Sequence, residues 1–220
     1  METTLHRQLK DHYCTEGSEI EVKFGRFRID VVSGDRLIEI QHSGLAAISR
    51  KIATLVQSHV VDVVKPIIYR KRLAKLSRKN GKVISQRLSP RKGDFLDFFD
   101  ELMYFTRVFP HPNLRLITPL IEVEEIRYPG HGRRRWKRAG DSIVKDRILT
   151  SIIESESYCT AQDLHKHLPK MTSVFDTKQL AENLDIQRSQ AQRMAYVMRK
   201  TGSIKQVGKK GNSLQYRKVA

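Results

Sequence analysis

The segment Phe27–Gln41, FRIDVVSGDRLIEIQ, constrains the fold of this chain more than any other stretch. Gly34 and Asp35 form a two-residue turn signal between two short apolar runs, which predicts a β-hairpin. Pairing across this turn sets Asp30 opposite Glu39. A slip of one residue would move every side chain to the other face, so the apolar pattern specifies the register. This register predicts that the two carboxylates lie side by side.

The two faces of this predicted hairpin differ in polarity. Opposed like charges destabilise a sheet, since cross-strand Cβ atoms lie roughly 4.5–5.5 Å apart. A divalent cation that prefers oxygen ligands, Mg²⁺ or Mn²⁺, would remove that penalty, whereas the alternative is a solvated acidic face. The polar face carries Arg28, Asp30, Val32, Leu37, Glu39 and Gln41, and the face expected to meet the core carries Phe27, Ile29, Val31, Ile38 and Ile40.

Asp30 and the triplet Glu39-Ile40-Gln41 resemble the motif of the PD-(D/E)xK, or restriction-endonuclease-like, nuclease superfamily. The likeness covers 27–41 tightly and 2–123 loosely. It implies a metal held by Asp30, Glu39 and the carbonyl of Ile40, and hydrolysis of a phosphodiester. The superfamily usually has Lys where this chain has Gln41, which can orient a water molecule but brings no positive charge. Some restriction enzymes are similar to this chain in having Glu-x-Gln.

The elements around the hairpin predict an α/β core of order αββαβ, a mixed sheet flanked by helices. Leu5, Leu9 and Tyr13 have helical spacing, and an apolar helix follows Ser43. A nearly continuous apolar run, 59–69, is typical of a buried strand. A helix is predicted from Asp94 to Val108, and in the strand candidate that starts at Leu114 the residue Pro119 favours an edge or a break. Resolvase-like members of the superfamily carry an acidic residue in the first helix, which makes Glu2 a further candidate ligand. The alternative for Glu2 is a charge that stabilises a helix N-terminus.

The charge of the chain favours a polyanionic partner. It has 41 Lys and Arg against 24 Asp and Glu, a formal net charge of +17. No apolar run is long enough to cross a membrane, and no secretory signal is recognisable at the N-terminus. The two cysteines, Cys14 and Cys159, have no metal-binding spacing. We therefore expect a cytoplasmic protein that binds nucleic acid, duplex or branched DNA in the first place, rather than a membrane.

Composition divides the chain into a nuclease-like domain at 1–126, a basic linker at 127–141 and a second domain at 142–220. The apolar residues from Ile143 to Ile152 predict a helix. The segment DTKQLAENLDIQRSQAQRMAYVMRKTG predicts two more helices joined by a tight turn, with Asp176 as the cap of the first and Gly202 ending the second. Two alternating strands around GKKGN follow. This order resembles a winged-helix DNA-binding domain. An alternative is a winged helix that contacts protein.

Basic and polar residues mark the surfaces expected to meet DNA. Cations of the linker would neutralise phosphates, and the exposed side of the second helix would enter a major groove. The strands around Asn80-Gly81 are also basic, which suggests either a groove wall or a solvated ribbon. The candidates are Arg133, Arg134, Arg135, Lys137, Arg138, Gln187, Arg188, Ser189, Gln192, Arg193, Lys209 and Lys210.

These observations predict a metal-dependent DNA endonuclease or resolvase-like phosphodiesterase, tethered to DNA by a winged helix. Asp30, Glu39 and Gln41 would be the catalytic residues, and a symmetric dimer would suit cleavage of two strands. A non-catalytic winged-helix DNA-binding protein with a degenerate nuclease-like domain is the alternative, and a protein that binds RNA is a third. The whole chain also resembles bacterial proteins of an uncharacterised domain family, which names no reaction.

Overall fold

A computed structural model describes residues 3–130, 142–170 and 174–219. The described chain is mixed α/β, with one large mixed sheet flanked by helices. The helices are α1 (Thr4–Tyr13), α2 (Ser49–Leu55), α3 (Phe98–Leu102), α4 (Thr177–Leu184) and α5 (Arg188–Thr201). The strands are β1 (Glu19–Phe24), β2 (Phe27–Ser33), β3 (Arg36–Ile40), β4 (Val60–Val64), β5 (Ile67–Leu76), β6 (Val83–Leu88), β7 (Leu114–Pro129), β8 (Ser142–Tyr158), β9 (Ile204–Lys210) and β10 (Ser213–Lys218).

The predicted hairpin is present as β2 and β3. Ser33 pairs with Arg36, Val32 with Leu37 and Val31 with Ile38, which is the predicted register, whereas the opposition of Asp30 and Glu39 stays a prediction. Gly34 takes the positive φ of 59° that the turn needs. A strand that the sequence interpretation did not include, β1, pairs antiparallel with β2. The order from α1 to β4 is therefore αβββαβ rather than αββαβ.

β4 and β5 lie end to end along one edge of β7. Val64 pairs with Ile117 and Ile67 pairs with Leu120, both in parallel register, while β8 runs antiparallel along the other edge. The single buried strand expected at 59–69 is thus two strands, interrupted at Lys65 and Pro66. Pro119 was expected to mark an edge or a break, but β7 lies inside the sheet. A proline fits here because it sits at the junction between the two partners of β7.

Helices cover both faces of the sheet. α1 packs on one face, where Leu5 and Leu9 join a cluster with Ile38 and Ile40. On the other face α2 and α3 pack in a larger cluster that contains Leu37. The expectation that only one face of the hairpin meets the core was therefore wrong. Leu37 and Glu39, assigned to a polar face, are 2% and 5% exposed.

The segment 142–158 is a strand, not the predicted helix. β8 pairs with β7 from Leu116↔Tyr158 to Pro129↔Ser142, so this segment belongs to the large sheet. The apolar residues of this segment have helical spacing by coincidence. The segment forms a strand because the long strand β7 offers an edge with which it pairs. The division of the chain into independently folding domains stays a prediction, and residues 131–141 of the proposed linker lie outside the described residues.

The C-terminal helices begin and end where the sequence predicts. Asp176 caps α4 by accepting hydrogen bonds from the N–H groups of Lys178 and Gln179. Gly202, at φ 84°, ends α5, which buries Ala191, Met194, Val197 and Met198. β9 and β10 then form an antiparallel hairpin, and an isolated bridge joins Phe175 to Tyr216.

Two predicted helices differ from the structure in their first turns. Ser43 does not cap α2, because a 3₁₀ turn, Leu45–Ile48, precedes that helix. The helix expected from Asp94 to Val108 is a 3₁₀ turn, Phe95–Asp97, followed by the short α3. Its aromatic residues nevertheless fill the core, where Phe98 stacks on Tyr158 of β8. None of the described helices is long and apolar enough to cross a membrane.

Candidate functional site: paired carboxylates and a basic groove

Asp30 lies at the junction of β2, β3 and α1. Its carboxylate accepts the backbone N–H of Ile40 at 2.8 Å and lies 3.2 Å from Nε2 of His6. Burial by itself would raise the pKa of Asp30, but the hydrogen bonds from His6 and Ile40 hold that pKa below its ordinary value. Asp30 is therefore an ionised carboxylate in a partly buried position.

Glu39 carries the most perturbed carboxyl group of the pair. Burial, and after it the negative charge of Asp30, raise the pKa of Glu39 to about 7, although Lys51 acts in the opposite direction. Nζ of Lys51, from α2, donates to the Glu39 carboxylate and to the carbonyl of Arg28. The negative charge of Asp30 thus acts on Glu39, and the cation beside Glu39 comes from a helix instead of the triplet.

Gln41 and His42 follow β3 at its carboxyl end. The side-chain nitrogen of Gln41 donates to Oγ of Ser43 and to the carbonyl of Gly44, both at 2.8 Å. Its amide oxygen remains the acceptor with which it could orient a water molecule. The ring of His42 lies 5.8 Å from that of His6, and burial lowers the pKa of His42. Gln41 therefore follows the strand that carries Glu39, and its side chain is held by its own loop.

A crevice of about 310 Å³ opens beside this loop. The buried Lys65, at the break between β4 and β5, donates to the carbonyl of Ser43 and lies 3.1 Å from Oε1 of Glu101. Burial lowers the pKa of Lys65. The crevice is also lined by the cations Lys71 and Arg91 and by the carboxylates Asp97, Asp100 and Glu101. Ligands of parallel sheets bind outside the carboxyl ends of the strands, which is where this crevice lies.

The donor set suits a hard cation with few protein ligands. Among residues 3–130, 142–170 and 174–219, no three His, Cys, Asp or Glu side chains are grouped to hold a metal. Mg²⁺ commonly uses one or two carboxylates and keeps several water molecules. Asp30 and Glu39 would supply those two carboxylates, and the negative charge of Asp30 contributes to the raised pKa of Glu39. Glu2, the third candidate, lies outside the described residues.

A second concave surface lies between α5 and the β9–β10 hairpin. This groove, of about 330 Å³, is lined by Arg188, Gln192, Tyr196 and Arg199 of α5 and by 212–214 of the hairpin. Tyr196 and Arg199 were missed by the sequence interpretation. The signal was available, because residues 188, 192, 196 and 199 fall on one face of a helix.

The other predicted DNA-binding residues fall into three groups. Gln187, Ser189, Lys209 and Lys210 are exposed, the first two at the start of α5 and the others near the tip of the β9–β10 hairpin. Arg193 is engaged elsewhere, since its guanidinium forms an ion pair with Asp100 of α3. The linker cations Arg133, Arg134, Arg135, Lys137 and Arg138 lie outside the described residues.

Comparison with known proteins shows the family of this chain. The family described as Domain of unknown function (DUF8091) matches residues 3–160. The chain belongs to the DUF8091 family. An "Uncharacterized protein" of Treponema pallidum (strain Nichols) is 30% identical to it over 223 residues, covering 99% of this chain and 85% of the relative. No solved structure matches the chain.

The DUF8091 match ends two residues after β8, before the C-terminal helices begin. The matched part of this DUF8091 protein therefore contains the whole large sheet and both carboxylates. The groove beside α5 lies beyond the match.

Proposed function

We propose that this protein is a metal-dependent DNA endonuclease or resolvase-like phosphodiesterase, held on DNA by its C-terminal segment. The observation that carries the proposal is the interaction of the Asp30 and Glu39 carboxylates at the carboxyl end of β3, with the Lys51 ammonium beside them. Two carboxylates that repel each other inside a basic protein are an arrangement typical of cation sites. The αβββαβ order of the first elements supports a restriction-endonuclease-like core.

Each residue of the site would have a separate role. Asp30, Glu39 and the carbonyl of Ile40 would hold Mg²⁺ or Mn²⁺. The ion, when bound, would lower the pKa of a bound water molecule and offset charge on the phosphate. Gln41 would orient that water through its amide oxygen. Lys51, released from Glu39 when a cation takes that place, would contact a phosphate oxygen.

The C-terminal segment supports the DNA-binding half of the proposal. Its order is a 3₁₀ turn at Ala161–His167, the bridge at Phe175, α4, α5 and the β9–β10 hairpin, which is the order expected of a winged helix. Arg188, Gln192 and Arg199 would meet phosphates or base edges along α5, and Tyr196 would stack or pack against them. Lys209 and Lys210 would contact the backbone from the hairpin.

The test is cleavage of supercoiled, linear and branched DNA in Mg²⁺ or Mn²⁺. We expect Asp30→Asn and Glu39→Gln to lower the cleavage rate on the order of 10²-fold or more. The matched control is Glu19→Gln, an exposed carboxylate of β1, which should cleave at the wild-type rate. Equal rates in all four proteins would assign the cleavage to a contaminant and reject the proposal.

A specific observation also favours a second candidate, a non-catalytic DNA-binding protein. Gln41 brings no charge, and Lys51 already neutralises Glu39 without a metal. Calorimetric titration with Mn²⁺ separates the two candidates. Binding heat that disappears in Asp30→Asn supports the nuclease, whereas tight DNA binding with no Mn²⁺ heat in the wild type supports the second candidate.

A further inference from the structure

The end-to-end arrangement of β4 and β5 brings two hairpins into one row of the sheet. β3 pairs with β4, and β6 pairs with β5 on the edge away from β7. The carboxyl end of β3 therefore points toward the carboxyl end of β6. Val64 lies opposite Ile40 and Arg72 opposite Leu88, and the eight residue-to-residue steps from Val64 to Arg72 span about 26 Å of extended chain. The crevice beside Lys65 occupies this interval.

The far side of the interval is formed by the segment Arg70–Lys92, which we name the basic ribbon. It contains ten Lys and Arg, and the sequence has no Asp or Glu from 66 to 93. Within the described part of the chain, two of these cations form ion pairs, Lys71 with Glu125 and Arg91 with Asp97. The ribbon thus carries a large uncompensated positive charge at one end of the crevice.

The ribbon is exposed as well as charged. All six residues of β6 are exposed, including Val83 at 51% and Ile84 at 59%. Its tip is well ordered, because Gly81 donates to the carbonyl of Arg78 and Ser77 to that of Lys82. Charged side chains often protect an edge strand from pairing, but a few suffice for that purpose. Ten cations beside exposed apolar side chains point to a ligand that is both anionic and partly apolar.

We propose that the basic ribbon is a second nucleic-acid-binding surface, which holds the sugar-phosphate backbone of a duplex whose phosphodiester lies at Asp30 and Glu39. The inference rests on the proposed function for its substrate. Duplex DNA carries one negative charge per about 1.7 Å of axis, so several phosphates fall along the ribbon. Val83 and Ile84 would contact sugar and base edges in a groove. A second copy of this chain is disfavoured, since edge-to-edge pairing would oppose like charges.

The test measures equilibrium binding to a 30-base-pair duplex in EDTA, so that cleavage plays no part. The ribbon variant Lys79→Ser/Lys82→Ser is compared with Lys23→Ser/Arg26→Ser, two exposed cations at the opposite edge of the sheet. Both variants lose two positive charges. We expect the ribbon variant to bind roughly tenfold more weakly at 0.1 M salt, with a log–log salt slope smaller by about 2. The control pair should keep the wild-type affinity and slope.

The outcomes separate this inference from the proposed function. Wild-type affinity in the ribbon variant overturns the inference while leaving the metal site and the α5 groove untouched. Equal losses in the two variants overturn it as well, because they indicate a general charge effect. A parallel assay uses vesicles of phosphatidylcholine and phosphatidylserine, and equal weakening of vesicle and duplex binding would assign the ribbon to anionic surfaces in general and reject a nucleic-acid site.

Discussion

Two hairpins of this protein, β2–β3 and the β5–β6 part of the basic ribbon, are joined by short turns but have opposite environments. β2–β3 has strands on both sides and helices on both faces, and its Glu39 is 5% exposed. β6 lies at the edge of the sheet, and all six of its residues are exposed. The first hairpin concentrates negative charge where water is scarce, and the second displays positive charge to solvent.

Burial, rather than residue type, decides whether the pKa of a charged side chain departs from its ordinary value. Burial and Asp30 raise the pKa of Glu39 to about 7, and Lys51 is fixed against it. Exposed cations of the ribbon can rearrange around any anionic ligand, at little energetic cost. The proposed cation site needs the buried environment, and the proposed polyanion surface needs the exposed one.

The dependence of stability on pH tests the burial of Glu39, which is the largest difference between the two hairpins. The pKa of Glu39 in the folded protein, about 7, lies above its ordinary value of 4.5, so the folded state binds the proton more tightly. The resulting stabilisation is fully present below pH 4.5 and is lost as pH rises through about 7. Between pH 5 and pH 8 we expect the wild type to lose about 2.5 kcal/mol relative to Glu39→Gln.

Urea unfolding followed by circular dichroism at several pH values measures this loss. Glu19→Gln, which removes an exposed carboxylate of β1, serves as the control and should run parallel to the wild type. Parallel profiles for Glu39→Gln and the wild type would contradict the perturbed pKa.

Two lysine substitutions compare the buried environment of Glu39 with the exposed tip of the ribbon. Lys51→Ala leaves the buried Glu39 without its partner, and we expect a loss of about 2 kcal/mol in the free energy of unfolding at pH 8. At pH 5, where Glu39 is protonated, the loss should fall below about 1 kcal/mol. Lys79→Ala, at the exposed tip of the ribbon, should change stability by less than about 0.5 kcal/mol at either pH. Similar losses for both variants would mean that the two environments do not differ.

The turn glycines should show the smallest effect. Gly34 has φ 59° with open space around it, so Gly34→Ala should cost about 1 kcal/mol and Gly34→Asn clearly less, because asparagine tolerates this conformation. A Cβ at Gly81 would lie 2.9 Å from the backbone nitrogen of Arg78, so alanine and asparagine should be equally unfavourable there. Thermal unfolding of the four variants checks this. A rescue by asparagine at Gly81 would show that its close contact is easily relieved.

Short-range features of the fold could be predicted from the sequence. The Gly34 turn, the register of β2–β3, the Asp176 cap and the Gly202 stop are confirmed, because each depends on residues a few positions apart. The helical spacing at 143–152 was misleading, since β8 forms by pairing with β7, and the pairing partner is not visible in the periodicity of one segment.

The candidate site was predictable in its carboxylates and not in their partners. The sequence places Asp30 and Glu39 on two paired strands, and both their direct opposition and their roles stay predictions. Lys51 and His6 reach them from two helices on opposite faces of the sheet, through contacts that span 12 and 24 residues. A single sequence gives no signal of which helix face will meet a strand end at that distance.

Local sequence was enough to predict the Gly34 turn, the residues that form β2 and β3, and the ends of α4 and α5. Composition alone gives the strongly basic charge. Only the tertiary structure decided that Glu39 is buried, that β4 and β5 share one edge of β7, and that β8 joins the large sheet. The physical reason is the range of the interactions. Turn geometry and capping act within a few residues, whereas burial and strand pairing depend on segments that meet only when the whole sheet has formed.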